Sequence, residues 1–364
     1  MKLSLCMIVK NEEEVLERAL KSAQPVADEI IIVDTGSTDK TEEIAKKFTD
    51  KVFNFAWVDD FSLARNYSFS KATCDYIIWL DADDEISEEN QQKLINLKKS
   101  MDGSVDVYFL KYAFPTIDNS NSLEYFRERI IKNNNTMKWA DPVHEFIEIN
   151  GKIEYVDIAI HHKKIKPAAT NRNLNIYEKY ILKGSELTPR QKFYYARELY
   201  YNGKMFDAVK ILENFLVDGL GWLENNIEAS IVLAKCYVAI GKHVQALKTL
   251  FASFIYDYPR AEVLCEIGTI FMLIKNYKNA IPWLKLAAKC KPNVRRGGFV
   301  LPQCYDIVPY LQLCVCYFNL NEISLAIKYN EKAKKVDANN DSVKVNTLFF
   351  DELSKKKSKE KKIK

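Results

Sequence analysis

Four carboxylates crowd into five consecutive positions, Asp81, Asp83, Asp84 and Glu85, directly after the apolar run Tyr76-Ile77-Ile78-Trp79-Leu80. Clustered hard oxygens call for a compensating cation, and a divalent metal bridging to phosphate groups meets that need. A structural reading covers part of the cluster: Ser87 can cap a following helix whose positive first turn holds Glu88 and Glu89. It leaves Asp81 and Asp83 unexplained. A second apolar run, Ile30-Ile31-Ile32-Val33, ends in Asp34-Thr35-Gly36-Ser37-Thr38-Asp39. One such junction alone is a turn. Two in one sheet point to a nucleotide site, because ligands of open α/β sheets bind beyond the carboxyl ends of the strands. Three of the four histidines, His144, His161 and His162, fall in one 19-residue window that also holds Glu145, with Asp141 just before it.

The elements that must hold these residues follow from the pattern. Leu3–Val9, Ile30–Val33, Val52–Phe55 and residues 76–80 read as strands, the first, second and fourth of them buried on both faces. Asn11 is expected to cap a helix with Glu12, Glu13 and Glu14 in its first turn and Val15, Leu16, Ala19, Leu20 and Ala23 on one face. Further helices are expected up to about Phe48 and over Phe61–Ala72. Strands alternating with helices imply a parallel sheet covered on both sides. Val105–Tyr112, Tyr125–Ile131, Phe146–Ile149 and Ile153–Ile160 then read as strands without long helices between them, which predicts an antiparallel or mixed extension of the sheet.

From about Arg172 the pattern is helical. Small residues are followed twelve positions later by Ala in the pairs Ala196/Ala208, Ala234/Ala246, Gly268/Ala280 and Cys314/Ala326. A turn position lies between each pair, at Gly203, Gly241, Lys275 and Asn321. The Ala-to-Ala steps are 38, 34 and 46 residues; the middle one is the tetratricopeptide period, and the last carries an insertion from Asn293 through Gly298 onward. The expected organisation is an α/β domain over 1–165, a linker or first helix over 166–190, helical repeats over 191–350 and a Lys-rich, disordered tail over 351–364.

Composition narrows the classes. A chain of 364 residues with 48% hydrophobic content has room for two or three packed domains and is not a disordered one. The net charge of +4 is inflated by the tail and does not call for nucleic acid. Eight cysteines in no zinc or disulfide spacing fit free thiols in a reducing cytoplasm. The apolar Leu3–Val9 is too short for a secretory core, and no run approaches transmembrane length, so no integral membrane segment is expected.

Four pieces in this order resemble family 2 glycosyltransferases of the GT-A fold: Met7-Ile8-Val9-Lys10-Asn11-Glu12-Glu13, Val33-Asp34-Thr35-Gly36-Ser37-Thr38-Asp39, Phe61-Ser62-Leu63-Ala64-Arg65-Asn66 and Leu80-Asp81-Ala82-Asp83-Asp84. The last is similar to the family's Asp-X-Asp motif. Val143-His144-Glu145 and the strand ending in His161-His162 resemble a subgroup with tetratricopeptide repeats behind the transferase. That subgroup includes enzymes that glycosylate bacteriocin peptides on Cys or Ser and enzymes of surface-polysaccharide assembly. The resemblance implies a Rossmann-like mixed sheet of GT-A type followed by an all-α repeat domain. It implies that Val9, Asn11, Glu12, Asp34 and Gly36 line the nucleoside pocket, that Arg65 and Asn66 lie near the diphosphate, and that Asp81 and Ala82 face the ribose. The chain has Asp34-Thr35 where many members have two successive acids.

The metal, Mg²⁺ or Mn²⁺, is expected on Asp83 with Asp81 and His162; His161 falls on the opposite face of its strand. A general base must take the acceptor's proton, and the candidates are Glu145 first, then Asp141 and His144. The competing reading of Glu145 is an ion pair with Arg127 or Arg129. The implied reaction is inverting transfer of a hexose, of glucose or N-acetylglucosamine type, from a UDP-sugar to a Ser, Thr or Cys side chain of a peptide or protein. The repeats would contact that acceptor or form a homodimer. Two alternatives stand: the same chemistry on a polysaccharide or lipid-linked glycan, and a binding scaffold whose transferase domain is inactive.

Overall fold

The computed structural model describes residues 1–114, 123–163, 171–292 and 298–363. The chain divides into two compact units, the first drawn from residues 1–115 and 122–186 and the second from Leu187–Lys364.

In the first unit, β1 (Leu3–Val9), β2 (Glu29–Asp34), β3 (Val52–Asn54) and β4 (Tyr76–Trp79) pair in parallel in the order β3-β2-β1-β4. β6 (Val107–Phe114), β7 (Leu123–Lys132) and β10 (Ile153–His162) continue the sheet in mixed sense. The two-residue β5 (Asp84–Glu85) closes that edge antiparallel to β10, giving eight strands in the order β3-β2-β1-β4-β7-β6-β10-β5. Alternation explains why the central strands are apolar throughout. Tyr76, Ile78 and Leu80 join one buried cluster with Leu5 and Met7, while Ile77 and Trp79 join another, on the far face, with Cys6 and Ile131. α1 (Leu16–Ala23), α2 (Thr41–Lys46), α3 (Phe61–Phe69), α4 (Glu88–Ser100) and α5 (Arg172–Leu182) complete this unit.

Several expectations need correction. Asn11 does not cap α1. Its φ is +55°, and its side chain accepts from Thr38 N–H at 2.8 Å, so it joins the loops after β1 and β2 while the helix begins at Leu16. The strand expected over Phe146–Ile149 is only β9 (Phe146–Ile147), paired with β8 (Trp139–Ala140) in a separate two-stranded sheet. The segment read as a linker or first helix contributes α5, which belongs to the first unit. Ser87 does cap α4, accepting from Asn90 N–H.

The second unit consists of helical hairpins. α6 (Pro189–Tyr201) pairs with α7 (Met205–Asp218), α8 (Leu223–Ala239) with α9 (His243–Ala252), α10 (Ala261–Leu273) with α11 (Tyr277–Ala287), and α12 (Ile307–Asn319) with α13 (Ile323–Val336). Ala208, Ala246, Ala280 and Ala326 are fully buried, which lets paired helices approach closely. The four turn positions Gly203, Gly241, Lys275 and Asn321 all have φ between +58° and +76°. This is a tetratricopeptide-like array. The Lys-rich end, expected to be disordered, belongs to a helix, α14 (Asp341–Ile363). Residues 293–297, the start of the expected insertion, lie outside the described residues. Among the described residues no helix is long and apolar enough to cross a membrane, and all eight cysteines are free.

Candidate functional site

The carboxyl ends of β1 and β4 open into a cavity of about 580 Å³, within the usual range for small-molecule sites. Its position follows from the turn after β4. Asp84 N–H donates to the Asp81 carbonyl at 3.0 Å, and the Asp84 carboxylate accepts from Asp81 N–H at 3.0 Å. Asp84 is fully buried. It pairs with Arg129 Nη1 at 3.0 Å, itself fully buried, and accepts from Tyr112 Oη at 2.8 Å. The Arg129 guanidinium lies 3.8 Å from the Trp79 ring centroid and 4.3 Å from that of Tyr112. Asp84 is therefore the buried knot that turns Asp81 and Asp83 outward.

β10 brings His162 opposite Asp84 in register. Its Nδ1 is 2.8 Å from Tyr112 Oη, 3.4 Å from Asp83 Oδ1 and 3.5 Å from Asp84 Oδ1. Tyr112 has one hydroxyl proton and donates it to Asp84, so His162 Nδ1 is the donor toward Tyr112. Burial opposes charge on His162, but Asp84, Asp83 and Asp81 outweigh it and raise its pKa. Burial also raises the Asp83 carboxyl; His162 opposes this, while Asp81 and Asp84 add to it. Asp81 moves the other way: burial is overcome by Arg65, Arg129 and Arg127, so its pKa falls.

α3 supplies the opposite wall. Asp60 caps it by accepting from Leu63 N–H at 3.0 Å. Arg65 then donates through Nε to Glu145 at 2.8 Å and through Nη2 to Asp81 at 2.7 Å. Asn66, one residue on, exchanges two hydrogen bonds of 2.9 Å with the backbone of Trp139, and Phe61 N–H reaches the Pro142 carbonyl at 2.9 Å. α3 thus holds the loop of residues 139–145, in which Asp141 and His144 adopt φ of +71° and +53°.

Of the expected site residues, Val9, Asn11, Glu12, Arg65, Asp81, Ala82, Asp83, His144, Glu145 and His162 line the cavity. Asp34, Gly36, Asn66 and Asp141 are not in its wall. Asp34 is buried and accepts from the N–H groups of Gly36 and Ser37 at 2.8 and 2.7 Å, and so shapes the loop that holds Asn11. Glu145 does form an ion pair, but with Arg65 and not with Arg127 or Arg129. The residues whose ligand atoms lie within 4.8 Å of one another are Asp83, Asp84 and His162; Asp81 is turned toward Arg65 instead. Because Asp84 is buried and already holds Arg129 and Tyr112, Asp83 and His162 are the accessible donors of that group. A carboxylate oxygen and, once deprotonated, an imidazole nitrogen are ligands for a divalent cation, so the group is a candidate site for one.

The cavity also has walls that the sequence reading missed. Arg127, Trp79, Phe61, Lys10, Arg172 and Asn173 line it. Two arginines flanking Glu128 between the apolar pairs Tyr125-Phe126 and Ile130-Ile131 were the available signal for Arg127. Nothing local marks Arg172, which follows the stretch 164–170 and opens α5.

A mixed α/β sheet with an acidic site at its strand ends, followed by tetratricopeptide-like helices, defines the class of protein. Residues 4–149 match the model of the family described as Glycosyl transferase family 2. A TPR repeat-containing protein of Synechococcus elongatus is 36% identical over 146 residues, 40% of this chain and 35% of the relative. The SPbeta prophage-derived glycosyltransferase SunS of Bacillus subtilis is 26% identical over 272 residues, 70% of this chain and 63% of the relative. The chain thus spans between about a third and two thirds of the length of these curated relatives. The crystal structure of S. aureus TarS 1-349 aligns with a TM-score of 0.40 at 14% identity, covering 68% of this chain and 89% of that one. The N-terminal unit carries a family 2 glycosyltransferase domain, and tetratricopeptide-like repeats follow it.

Proposed function

We propose that this chain transfers a hexose from a nucleoside diphosphate sugar, UDP-linked glucose or N-acetylglucosamine being the first choice, to a Ser, Thr or Cys side chain of a peptide or protein. The observation that carries this reading is one cavity of about 580 Å³ that faces Asp81, Asp83 and His162 on one side and Glu145 on the other. The likeness to glycosyltransferase SunS over 70% of the chain, a span longer than the first unit, supports it and suggests that the repeats belong to the same activity.

The acceptor oxygen or sulfur attacks the anomeric carbon from the side opposite the diphosphate. The bond to the diphosphate oxygen breaks, and the configuration inverts. The acceptor proton passes to the Glu145 carboxylate, with Asp141 and His144 as the alternative bases. Asp83 and His162 would hold Mg²⁺ or Mn²⁺, with Asp81 held beside them by Arg65. A bound cation would offset the charge that develops on the departing diphosphate. Asn11 and Glu12, beside the loop shaped by Asp34 and Gly36, face the nucleoside. The repeats receive the acceptor or a second copy of the chain, and the cytoplasm, where thiols remain free, is the proposed location.

The test is a screen of UDP-, GDP- and TDP-sugars with the full chain, with Mg²⁺ or Mn²⁺ and with chelator, reading nucleoside diphosphate release by mass spectrometry. Metal-dependent release from at least one donor, abolished by Asp83→Ala in a protein that still folds, is the expected result. No release from any donor favours the inactive scaffold. Release with transfer only to glycan acceptors moves the reading to polysaccharide assembly.

A further inference from the structure

We infer that Arg65 is a positioning residue: it fixes Glu145 relative to Asp81 and does not contact the donor diphosphate. The inference rests on the transferase reading of the cavity and revises the role that family resemblance implies for this arginine.

Two of the three guanidinium nitrogens are committed, and to different carboxylates. Nε holds Glu145 at 2.8 Å and Nη2 holds Asp81 at 2.7 Å. Two neighbouring indoles pack against it. The guanidinium carbon lies 5.0 Å from the Trp79 ring centroid and 4.7 Å from that of Trp139. The whole residue is 8% exposed. Burial disfavours its charge, yet Asp81 and Glu145 more than restore it. To turn Nε and Nη2 toward an incoming phosphate, Arg65 would break two charge-assisted hydrogen bonds and shift against its indole contacts. It would also leave two carboxylates facing each other across the gap it now bridges. Two other cations, Lys10 and Arg172, line the same cavity and are exposed, so phosphate does not require Arg65.

The geometry instead suits a strut. Arg65 and Asn66 are neighbours on α3; Asn66 grips the backbone at Trp139, and Arg65 grips the side chain at Glu145. One helical turn thereby fixes both ends of the loop that carries the proposed base. Asp81 belongs to the donor side and Glu145 to the acceptor side, so a single planar group sets the distance between the two halves of the reaction. Lysine cannot reproduce this, because a point charge lacks the fork and the flat face.

The test compares full-length wild type with Arg65→Lys and Arg65→Ala. UDP with Mg²⁺ is titrated calorimetrically, with uridine as the control, and turnover is measured with whichever donor the wild type uses. The expected result is UDP affinity within about 2-fold of wild type, unchanged donor KM, and kcat lower by about 100-fold in both variants, as misplacement of a reacting group by an ångström would cause. Added guanidinium ion partly restores Arg65→Ala, and Arg65→Lys remains impaired. A 10-fold or greater loss of UDP affinity with uridine affinity intact overturns the inference, because it would put Arg65 on the diphosphate. Should the variants fail to fold, the wild type decides. The Arg65 Nε–H, observed by ¹⁵N-arginine NMR, should exchange slowly and keep its shift when UDP and Mg²⁺ are added. Fast exchange, or a shift change on adding UDP, overturns the strut. If the wild type turns over no donor, the transferase reading falls by itself, and slow Nε–H exchange still reports whether the strut exists.

Discussion

The two units bury the same kinds of charged residue and put them to different use. In the first, Asp84, Arg129 and Arg65 are buried behind the ends of β4 and α3, and the groups they hold face about 580 Å³ of open space. In the second, Glu224, Glu228, Arg260 and Glu262 gather on α8 and α10 around a space of only about 10 Å³, walled also by Phe299. There the segment after residue 297 supplies the partners of Glu262: Leu301 N–H donates to it at 2.8 Å and Tyr305 Oη at 3.0 Å, while Arg260 donates to Glu224. A cluster of acids therefore marks a site only where volume accompanies it. Strand ends leave that volume because each strand stops and its loop turns away, whereas helices packed side by side fill it.

The largest effect that can break this contrast is catalytic. Glu145→Gln keeps a hydrogen-bond acceptor for Arg65 but removes the basic carboxylate. Transfer should fall by about 10²–10⁴-fold with UDP binding unchanged, as single-turnover kinetics and calorimetry would read. Normal transfer would move the base to Asp141 or His144. Next comes Asp84→Ala, which strands the fully buried Arg129 and should destabilise the first unit by about 3–5 kcal/mol. Hydrogen exchange followed by mass spectrometry should place the loss in β4, β7 and β10 and leave the repeat helices protected. Equal loosening of both units would show that they do not unfold separately.

In the second unit the sensitive positions are small. A Cβ added at Gly268 would lie 2.4 Å from Leu284 Cδ2 and 2.7 Å from its Cγ. Gly268→Ala gains about 1 kcal/mol of helix propensity and loses about 1–3 kcal/mol to overpacking, since Leu284 is fully buried. A net loss of about 1 kcal/mol, confined to α10 and α11 in hydrogen exchange, is expected. Unchanged stability would mean that the two helices separate easily.

What the sequence makes legible follows the same division. The buried strands β1, β2 and β4 and the repeat turns announce themselves through local pattern, because each rests on burial or φ at its own position. All four turn positions read from spacing have left-handed backbones. The strut from Arg65 to Glu145 joins residues 80 apart, and Arg129 meets Asp84 only through strand order. No periodicity encodes such pairings. The two-residue strands β5, β8 and β9 are equally silent, being too short for any alternation, yet β5 is what sets Asp84 beside His162. Asn11 shows a third kind of miss. Its type and position suit a helix cap, but Thr38 offers it a stronger tertiary partner.

A dependence on pH should also separate the units. Burial pushes the Glu228 carboxyl up to about 7, with Arg197 and Lys235 only partly opposing it and Glu262 and Glu266 adding to it. The folded repeat unit therefore binds this proton more tightly than the unfolded chain, whose value is near 4.5. Between those limits the folded state holds more protons, so stability falls as pH rises from about 4.5 to 7 and is level above that. Glu228→Gln removes the charge that burial penalises. It should stabilise the second unit by roughly 1–3 kcal/mol at pH 8 and by little at pH 4.5, read from hydrogen exchange in α8. The carboxylate of Asp81, lowered by Arg65, has the opposite sign: its contribution is present above the ordinary aspartate range and is lost on acidification. Denaturation followed from pH 4.5 to 8 should thus weaken the repeat unit while leaving the Asp81 contribution to the first unit intact. A Glu228→Gln variant with the same stability gain at both pH values would show that this carboxyl titrates normally, and that the small space beside Phe299 admits enough water to solvate it.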